Sequence, residues 1–302
     1  EYNVWIWSAR HETLRIEAWG PDCIRIRCTR EPSFPSDMWA LLPAAPSEVK
    51  LDIREDEAVL ANGKLTVRIA STGWIRFFES AGGKPILEET PHPFVRTFDA
   101  DGVGSFRMEQ RFRSRNGERI YGLGQHSQDV GEDSFACFDQ QGCVIELDQR
   151  NTQVTIPFYV SSFNYGFLWN NPAIGRVELG RNQYRWVAEA GTCIDYVVMA
   201  GAGPADVLAR YADCTGHAPE MPEWATGFWQ SKLRYKTQDE LLNVAESFRE
   251  KGLPLSVIVC DYFHWPHLGA WDFDSACWPD PDCMVKRLKR QGVELMVSVW
   301  PT

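Results

Sequence analysis

The sequence lacks any Cys-x-x-Cys pair, and its cysteines, at 23, 28, 137, 143, 193, 214, 260, 277 and 283, are odd in number. That spacing excludes the common zinc modules and a complete disulfide set. Several cysteines, such as Cys260 in Val257-Ile258-Val259-Cys260, sit in apolar runs where a thiol behaves as a small hydrophobe. Reduced thiols and a cytoplasmic location are the expectation. Histidine is scarce, with 6 residues, and none cluster in a way that suits a metal-dependent enzyme. Basic runs of five or more residues are missing, and the formal net charge is −10. An acidic chain repels phosphate backbones, which excludes nucleic acid as the expected partner. No apolar stretch approaches bilayer length, so no membrane partner is expected. The opening Glu1-Tyr2-Asn3-Val4-Trp5 does not have the pattern of a signal peptide, a basic region followed by an apolar run. Internal repeats and low-complexity tracts are absent as well.

What the chain has in excess is aromatic surface: 13 Trp, 16 Phe and 9 Tyr among 302 residues. Aromatic faces stack on apolar C–H patches of sugars, but they also fill cores, and the count alone decides nothing. Hydrophobic residues at 44% and charged residues at 24% are ordinary for a core-forming chain long enough for two domains.

From residue 1 to about 200 the pattern is short alternating runs punctuated by turns. Leu14–Trp19 alternates and stops at Gly20-Pro21, and Cys23–Cys28 alternates with arginines at the outer positions. The Val59-Leu60 run reaches Asn62-Gly63, a hairpin turn signal, and Leu65–Ile69 returns. Further strands are predicted at Cys143–Leu147, Val154–Val160, Phe167–Trp169, Tyr184–Val187 and Cys193–Met199, which argues an antiparallel β-sandwich. A short helix is predicted over Ala205–Asp213, with Val207, Leu208 and Tyr211 on one side. The stiff segment Ala218-Pro219-Glu220-Met221-Pro222 then marks a boundary, giving domains at 1–217 and 218–302.

Beyond it the rhythm becomes strand, helix, strand, helix, strand. Ala225–Gln230 reads as the first strand, and Thr237 with Glu240 as a capping box that opens a helix running to Lys251-Gly252. Leu255–Cys260 is a continuous apolar run, as a parallel strand covered on both faces requires. Asp282–Gln291 is the next helix and Glu294–Trp300 the third strand. This is the opening of a parallel α/β structure, either a (β/α)₈ barrel or a doubly wound sheet. The first strand–helix turn, Ser231-Lys232-Leu233-Arg234-Tyr235, carries no glycine-rich phosphate loop, which counts against a nucleotide-binding sheet. Three such strands cannot close a barrel, and a parallel sheet with a bare edge is not expected to be stable alone.

The sharpest local signal is Asp261, directly after the apolar strand and followed by Tyr262-Phe263-His264-Trp265. A carboxylate at the C-terminal end of a barrel strand faces the pocket, where it accepts hydrogen bonds from substrate hydroxyls. The competing reading is a loop cap or an arginine partner. For Asp272 and Asp274, turn chemistry in the long loop Tyr262–Pro281 is the better reading. His264 with Asp261 makes neither a metal pair nor a catalytic triad. Hydrolysis of a glycosidic bond needs two carboxyl groups across it, and nothing here names such a pair.

Seven segments, in order, resemble glycoside hydrolase family 31: Tyr121-Gly122-Leu123-Gly124-Gln125-His126, Ile156-Pro157-Phe158-Tyr159-Val160, Tyr165-Gly166-Phe167-Leu168-Trp169-Asn170-Asn171-Pro172, Pro222–Lys232, Asp261–Trp265, Trp278-Pro279-Asp280-Pro281 and Val297-Ser298-Val299-Trp300-Pro301. The resemblance covers nearly the whole chain. It implies an N-terminal β-sandwich followed by the first three β/α units of a catalytic (β/α)₈ barrel, and an enzyme that cleaves α-linked sugars with retention through one Asp nucleophile and one Asp acid/base. Both catalytic residues are expected beyond Thr302, so no residue here is assigned either role and this stretch alone is expected to be inactive.

What the resemblance carries over is substrate binding. Asp261 matches the family's strand-two Asp that holds sugar hydroxyls, and Tyr262 and Phe263 match the positions beside the C5 substituent. Family members acting on glucosides often place an aliphatic residue and then an acid there; two rings crowd that slot, which favours a pentose such as xylose. Arg234 and Tyr235 after the first strand, Ser298 and Trp300 at the third, and Gln125, His126, Gln149 and Asn151 from the sandwich complete the expected substrate-binding set. The implied partners are an oligosaccharide or α-glycoside substrate and a homo-oligomer of the full-length protein, with no cofactor and no metal. The reading is a retaining α-glycosidase leaning to α-xylosidase. The alternatives are an α-glucosidase or α-galactosidase of the same family, and, from another class, a non-catalytic carbohydrate-binding protein.

Overall fold

The computed structural model describes residues 4–9, 11–80, 82–91, 95–126, 138–150 and 153–300. The chain divides into two compact units, Glu1–Ala218 and Pro219–Thr302.

Among the described residues the first unit is built from three antiparallel sheets. The largest orders its strands Val4–Ala9, Glu12–Ala18, Cys23–Thr29, Cys193–Ala200, Tyr165–Trp169, Val154–Ser161 and Ile120–Gln125. A second runs Val144–Leu147, Gly175–Leu179, Gln183–Ala188, Phe106–Arg113 and Arg96–Ala100. The third is a meander of Val49–Ile53, Glu57–Asn62, Leu65–Ala70, Ile75–Glu79 and Leu87–Glu88. Its Asn62 and Leu65 pair across Gly63-Lys64, so the Asn-Gly signal does make a tight hairpin, with Gly63 at φ +56° as that turn requires.

Much of the aromatic excess lies in the sandwich core. Phe167 stacks between Trp186 and Tyr196 at centroid distances of 4.9 and 5.1 Å, and Phe112 meets Phe167 edge-on at 5.2 Å. All four rings are fully buried, so they account for sheet packing and not for sugar binding.

The arginines of the Cys23–Thr29 strand depart from the expected alternation. Every residue of that strand is buried, Arg25 and Arg27 included. The second face of the sheet is covered by helix α1 (Pro204–Thr215) and by the segment around Met38–Leu41, so the outer positions become a second core. Arg25 is held there by a two-point ion pair, Nε and Nη2 donating to Asp195 at 2.9 and 2.6 Å, and Arg27 pairs with Glu17 at 2.6 Å. Within α1 Val207 is buried and Tyr211 stacks on Phe158 at 4.1 Å, but Leu208 is exposed; Cys214 takes the expected buried place.

Glu109, on the Phe106–Arg113 strand of the second sheet, gives a testable pH dependence. Burial pushes its carboxyl up, but hydrogen bonds from Arg185, Arg111 and Arg107 outweigh that and hold it at about 2. A carboxylate held below its unfolded value stabilises the fold above that value and loses the contribution as pH falls through the folded one. Between about pH 4.5 and pH 2 the protein should therefore lose up to about 3 kcal/mol through this group. Urea titrations across that window should show the loss in the parent and a flatter acid limb in Glu109→Gln.

The second unit has a parallel sheet ordered Trp229–Gln230, Val257–Cys260 and Glu294–Val297. Helices α2 (Gln238–Glu250) and α3 (Pro281–Arg290) alternate with its strands. Thr237 caps α2, its hydroxyl accepting from Glu240 N at 3.2 Å, while the Glu240 carboxylate reaches Lys236 N. Asp280 caps α3 by accepting from Cys283 N at 2.9 Å. The first strand is shorter than Ala225–Gln230: Glu223–Thr226 is a turn of 3₁₀ helix. Pro222 opens that turn, and the Thr226 hydroxyl bonds back to Glu223 O at 2.8 Å. Leu241, Leu242, Ile258, Met284 and Leu288 form the core between helices and sheet. No helix among the described residues is long and apolar enough to cross a membrane.

Candidate active site

Asp261 leaves the C-terminal end of the central parallel strand, directly after Cys260. Ser298 N donates to Cys260 O at 3.0 Å, which continues the ladder and sets Ser298 beside Asp261 at the same level. Asp261 Oδ1 accepts from Tyr262 N at 2.8 Å, and among the described residues Oδ2 has no partner. The carboxylate is thus oriented by its own backbone with one oxygen free to accept from a ligand.

Three rings pack together at the same end of the sheet. Tyr262 stacks on Trp300 at 5.6 Å with planes 12° apart and touches Phe263 at 4.5 Å. Phe263 sits at φ +61°, a backbone region costly for a bulky residue, and Arg234 lies over its ring at 5.4 Å while donating from Nη1 to its carbonyl at 3.1 Å. Beneath, His264 is buried, its Nδ1 lying 3.2 Å from Asp261 O, between Trp265 and Phe273 at 4.8 Å each. Asp274 N closes the loop onto His264 O at 2.8 Å. Asp272 and Asp274 accept from Phe273 N and Ala276 N, the turn chemistry expected of them. Burial, aided by the Asp261 charge, pushes the Cys260 thiol up to about 12, so that neighbour is chemically inert at neutral pH.

The structure therefore gathers Arg234, Asp261, Tyr262, Phe263, Ser298 and Trp300 at one end of the parallel sheet. Tyr235 belongs elsewhere: it is 2% exposed in the core of the unit, its hydroxyl accepting from Gln230 at 3.2 Å. The residues taken from the sandwich lie in the other unit. Gln125 ends its strand opposite Val154 and is exposed, and His126 turns back so that Nε2 lies 2.8 Å from Leu123 O. Gln149 clamps Thr155 with both amide atoms, at 2.9 and 3.1 Å. Asn151 lies outside the described residues. The turn through Gly122 and Gly124 needs glycine, since both have positive φ and a Cβ would strike the backbone of the Val154–Ser161 strand. His264, which the sequence reading weighed only as a metal ligand or triad member and set aside, is a supporting residue. Its only local signal was a histidine three residues after the acid, which suits a loop brace as well as any ligand role.

Among the described residues no group of three or more His, Cys, Asp or Glu side chains could hold a metal ion. The arrangement offers a carboxylate acceptor, an immobilised guanidinium and a set of aromatic faces, which suits binding and orienting a neutral polyhydroxylated ring.

Comparison with known proteins gives the family. Residues 13–178 match the glycosyl hydrolase 31 N-terminal galactose mutarotase-like domain, and residues 218–302 match the glycosyl hydrolases family 31 TIM-barrel domain. A family 31 glucosidase of Pseudescherichia vulneris is 37% identical over 99% of this chain and 59% of its own length. An α-xylosidase of Saccharolobus solfataricus is 44% identical over 66% of this chain and 28% of its own length. A family 31 α-xylosidase from a soil metagenome, solved in complex with xylose, superposes with a TM-score of 0.92 at 41% identity, over 99% of this chain and 46% of that one. The chain thus spans about half the length, or less, of most of these relatives. With both domain models matched in order, the chain belongs to glycoside hydrolase family 31, of which it carries an N-terminal β-sandwich and the first β/α units of the barrel.

Proposed function

We propose that the full-length protein is a retaining α-glycosidase that removes terminal α-linked xylose from oligosaccharides, and that the end of the parallel sheet around Asp261 binds the xylosyl ring. The observation that carries the reading is the pair Tyr262 and Phe263 directly after Asp261, with Tyr262 stacked on Trp300 at 5.6 Å. A hexose must place a hydroxymethyl group on C5, which needs both space and a hydrogen-bond partner. Two packed rings fill that space, so a hexose meets extra bulk there. A pentose has no such group. The resemblance to a relative solved with xylose supports the same choice.

In this reading the chemistry belongs to two carboxyl groups in the part of the protein beyond Thr302, one attacking the anomeric carbon and one donating and then accepting the proton. The residues described above bind and orient. Asp261 accepts from ring hydroxyls, Arg234 stiffens the Phe263 turn, and Trp300 backs the stack.

The test is a specificity swap in the full-length protein. Tyr262→Ile combined with Phe263→Asp should lower the ratio of kcat/KM on an aryl α-xyloside to that on the matching α-glucoside by about tenfold or more. A ratio unmoved by the swap would show that these rings do not read the C5 substituent.

A further inference from the structure

The segment Asp261–His264 turns sharply, and three of its carbonyls are tied to groups outside the backbone of the turn. Asp261 O meets the His264 ring at 3.2 Å, Phe263 O accepts from Arg234 Nη1 at 3.1 Å, and His264 O accepts from Asp274 N at 2.8 Å. The turn needs such ties, because Phe263 sits at φ +61°. A bulky residue keeps a left-handed backbone only where its surroundings over-determine it.

The His264 tie differs in kind from the other two. A four-residue turn ordinarily closes from its first carbonyl to its fourth backbone N–H, whereas here the side chain of the fourth residue reaches that carbonyl. A carbonyl oxygen only accepts, so the imidazole nitrogen facing it carries a hydrogen and His264 is an Nδ1–H donor. The ring is buried, with the rings of Trp265 and Phe273 against it at 4.8 Å each, so packing fixes where that nitrogen points. Tyr262 and Phe263 lie in the chain between the tied carbonyl and the ring that ties it. A change in this one bond therefore moves both rings relative to the Asp261 carboxylate.

We infer that His264 is a positioning residue for sugar selection: its Nδ1–H bond to Asp261 O holds Tyr262 and Phe263 where they read the C5 substituent. The inference rests on the proposed pentose preference. The simpler role for a buried histidine is to fill space, and the two roles order the same variants oppositely. His264→Phe keeps a ring between Trp265 and Phe273 but has no N–H to donate. His264→Asn loses ring volume, yet its amide nitrogen stands about where Nδ1 does and can still donate. His264→Gln carries its amide near the Nε2 position instead, away from the carbonyl. In the full-length protein, kcat/KM is measured on an aryl α-xyloside and on the matching α-glucoside, with thermal denaturation alongside. The xyloside-to-glucoside ratio should fall about fivefold in His264→Phe and His264→Gln, the effect of one lost hydrogen bond, and stay within about twofold of the parent in His264→Asn. The Tm should instead fall further in His264→Asn than in His264→Phe, because the smaller side chain leaves a gap. A ratio preserved in His264→Phe, or lost in His264→Asn, would overturn the positioning role and leave the pentose reading standing. A parent that does not prefer the xyloside would overturn the pentose reading, and the inference with it.

Discussion

Asp261→Ala in the full-length protein is expected to lower kcat/KM on an α-xyloside by about a thousandfold while leaving the fold intact. Hydrogen bonds to ring hydroxyls that strengthen in an oxocarbenium-like transition state contribute several kcal/mol, and each 1.36 kcal/mol is tenfold in rate. The fold should survive because Asp261 follows the strand, is only partly buried, and has one described side-chain bond, to the next residue's N–H. Asp261→Asn keeps the volume and one acceptor and should fall between the two. Steady-state kinetics with circular dichroism of each variant checks the expectation; near-normal kcat/KM in Asp261→Ala would put the sugar elsewhere.

The largest expected effect on stability lies in the other unit. Arg25 and Asp195 form a two-point pair at 2.9 and 2.6 Å, at 1% and 4% exposure, with Arg25 also 4.4 Å from the Trp19 ring and Asn170 donating to Asp195 at 2.7 Å. Removing one partner of such a pair leaves a buried charge unpaired and costs about 3–5 kcal/mol. Arg25→Ala should therefore shift the urea midpoint strongly. The apolar pair Arg25→Met with Asp195→Leu should recover most of the loss, because it removes both desolvation penalties. A loss below about 1 kcal/mol in Arg25→Ala would mean that water reaches the pair.

That same pair marks the limit of what could be read from the sequence. The Cys23–Thr29 strand was legible from its alternation, and Asn62-Gly63 fixed a hairpin, because strand period and turn chemistry are local. The burial of Arg25 was not legible, since its partner lies 170 residues away and its cover comes from α1. The barrel-like rhythm of the second unit and the caps at Thr237 and Asp280 follow from local rules, and the capping bonds are present. The first parallel strand is shorter than Ala225–Gln230 because Pro222 and Thr226 favour a 3₁₀ turn at its start, leaving Trp229–Gln230. At the site, the position of Asp261 after a strand could be read directly. The stack of Tyr262 on Trp300 could not, because it depends on two parallel strands lying side by side. Tyr235 looked like a lining residue from its neighbours, yet it is buried in the same apolar core as Ile258 and Leu242.

The central claim is that the chain is the front of a retaining glycosidase whose tandem rings select a pentose. It is tested most directly by following hydrolysis of an aryl α-xyloside and its α-glucoside counterpart by the full-length protein, with proton NMR reading the first sugar released. The account predicts faster turnover of the xyloside, with α-xylose appearing before mutarotation. Release of β-xylose first, or preference for the glucoside, would contradict it.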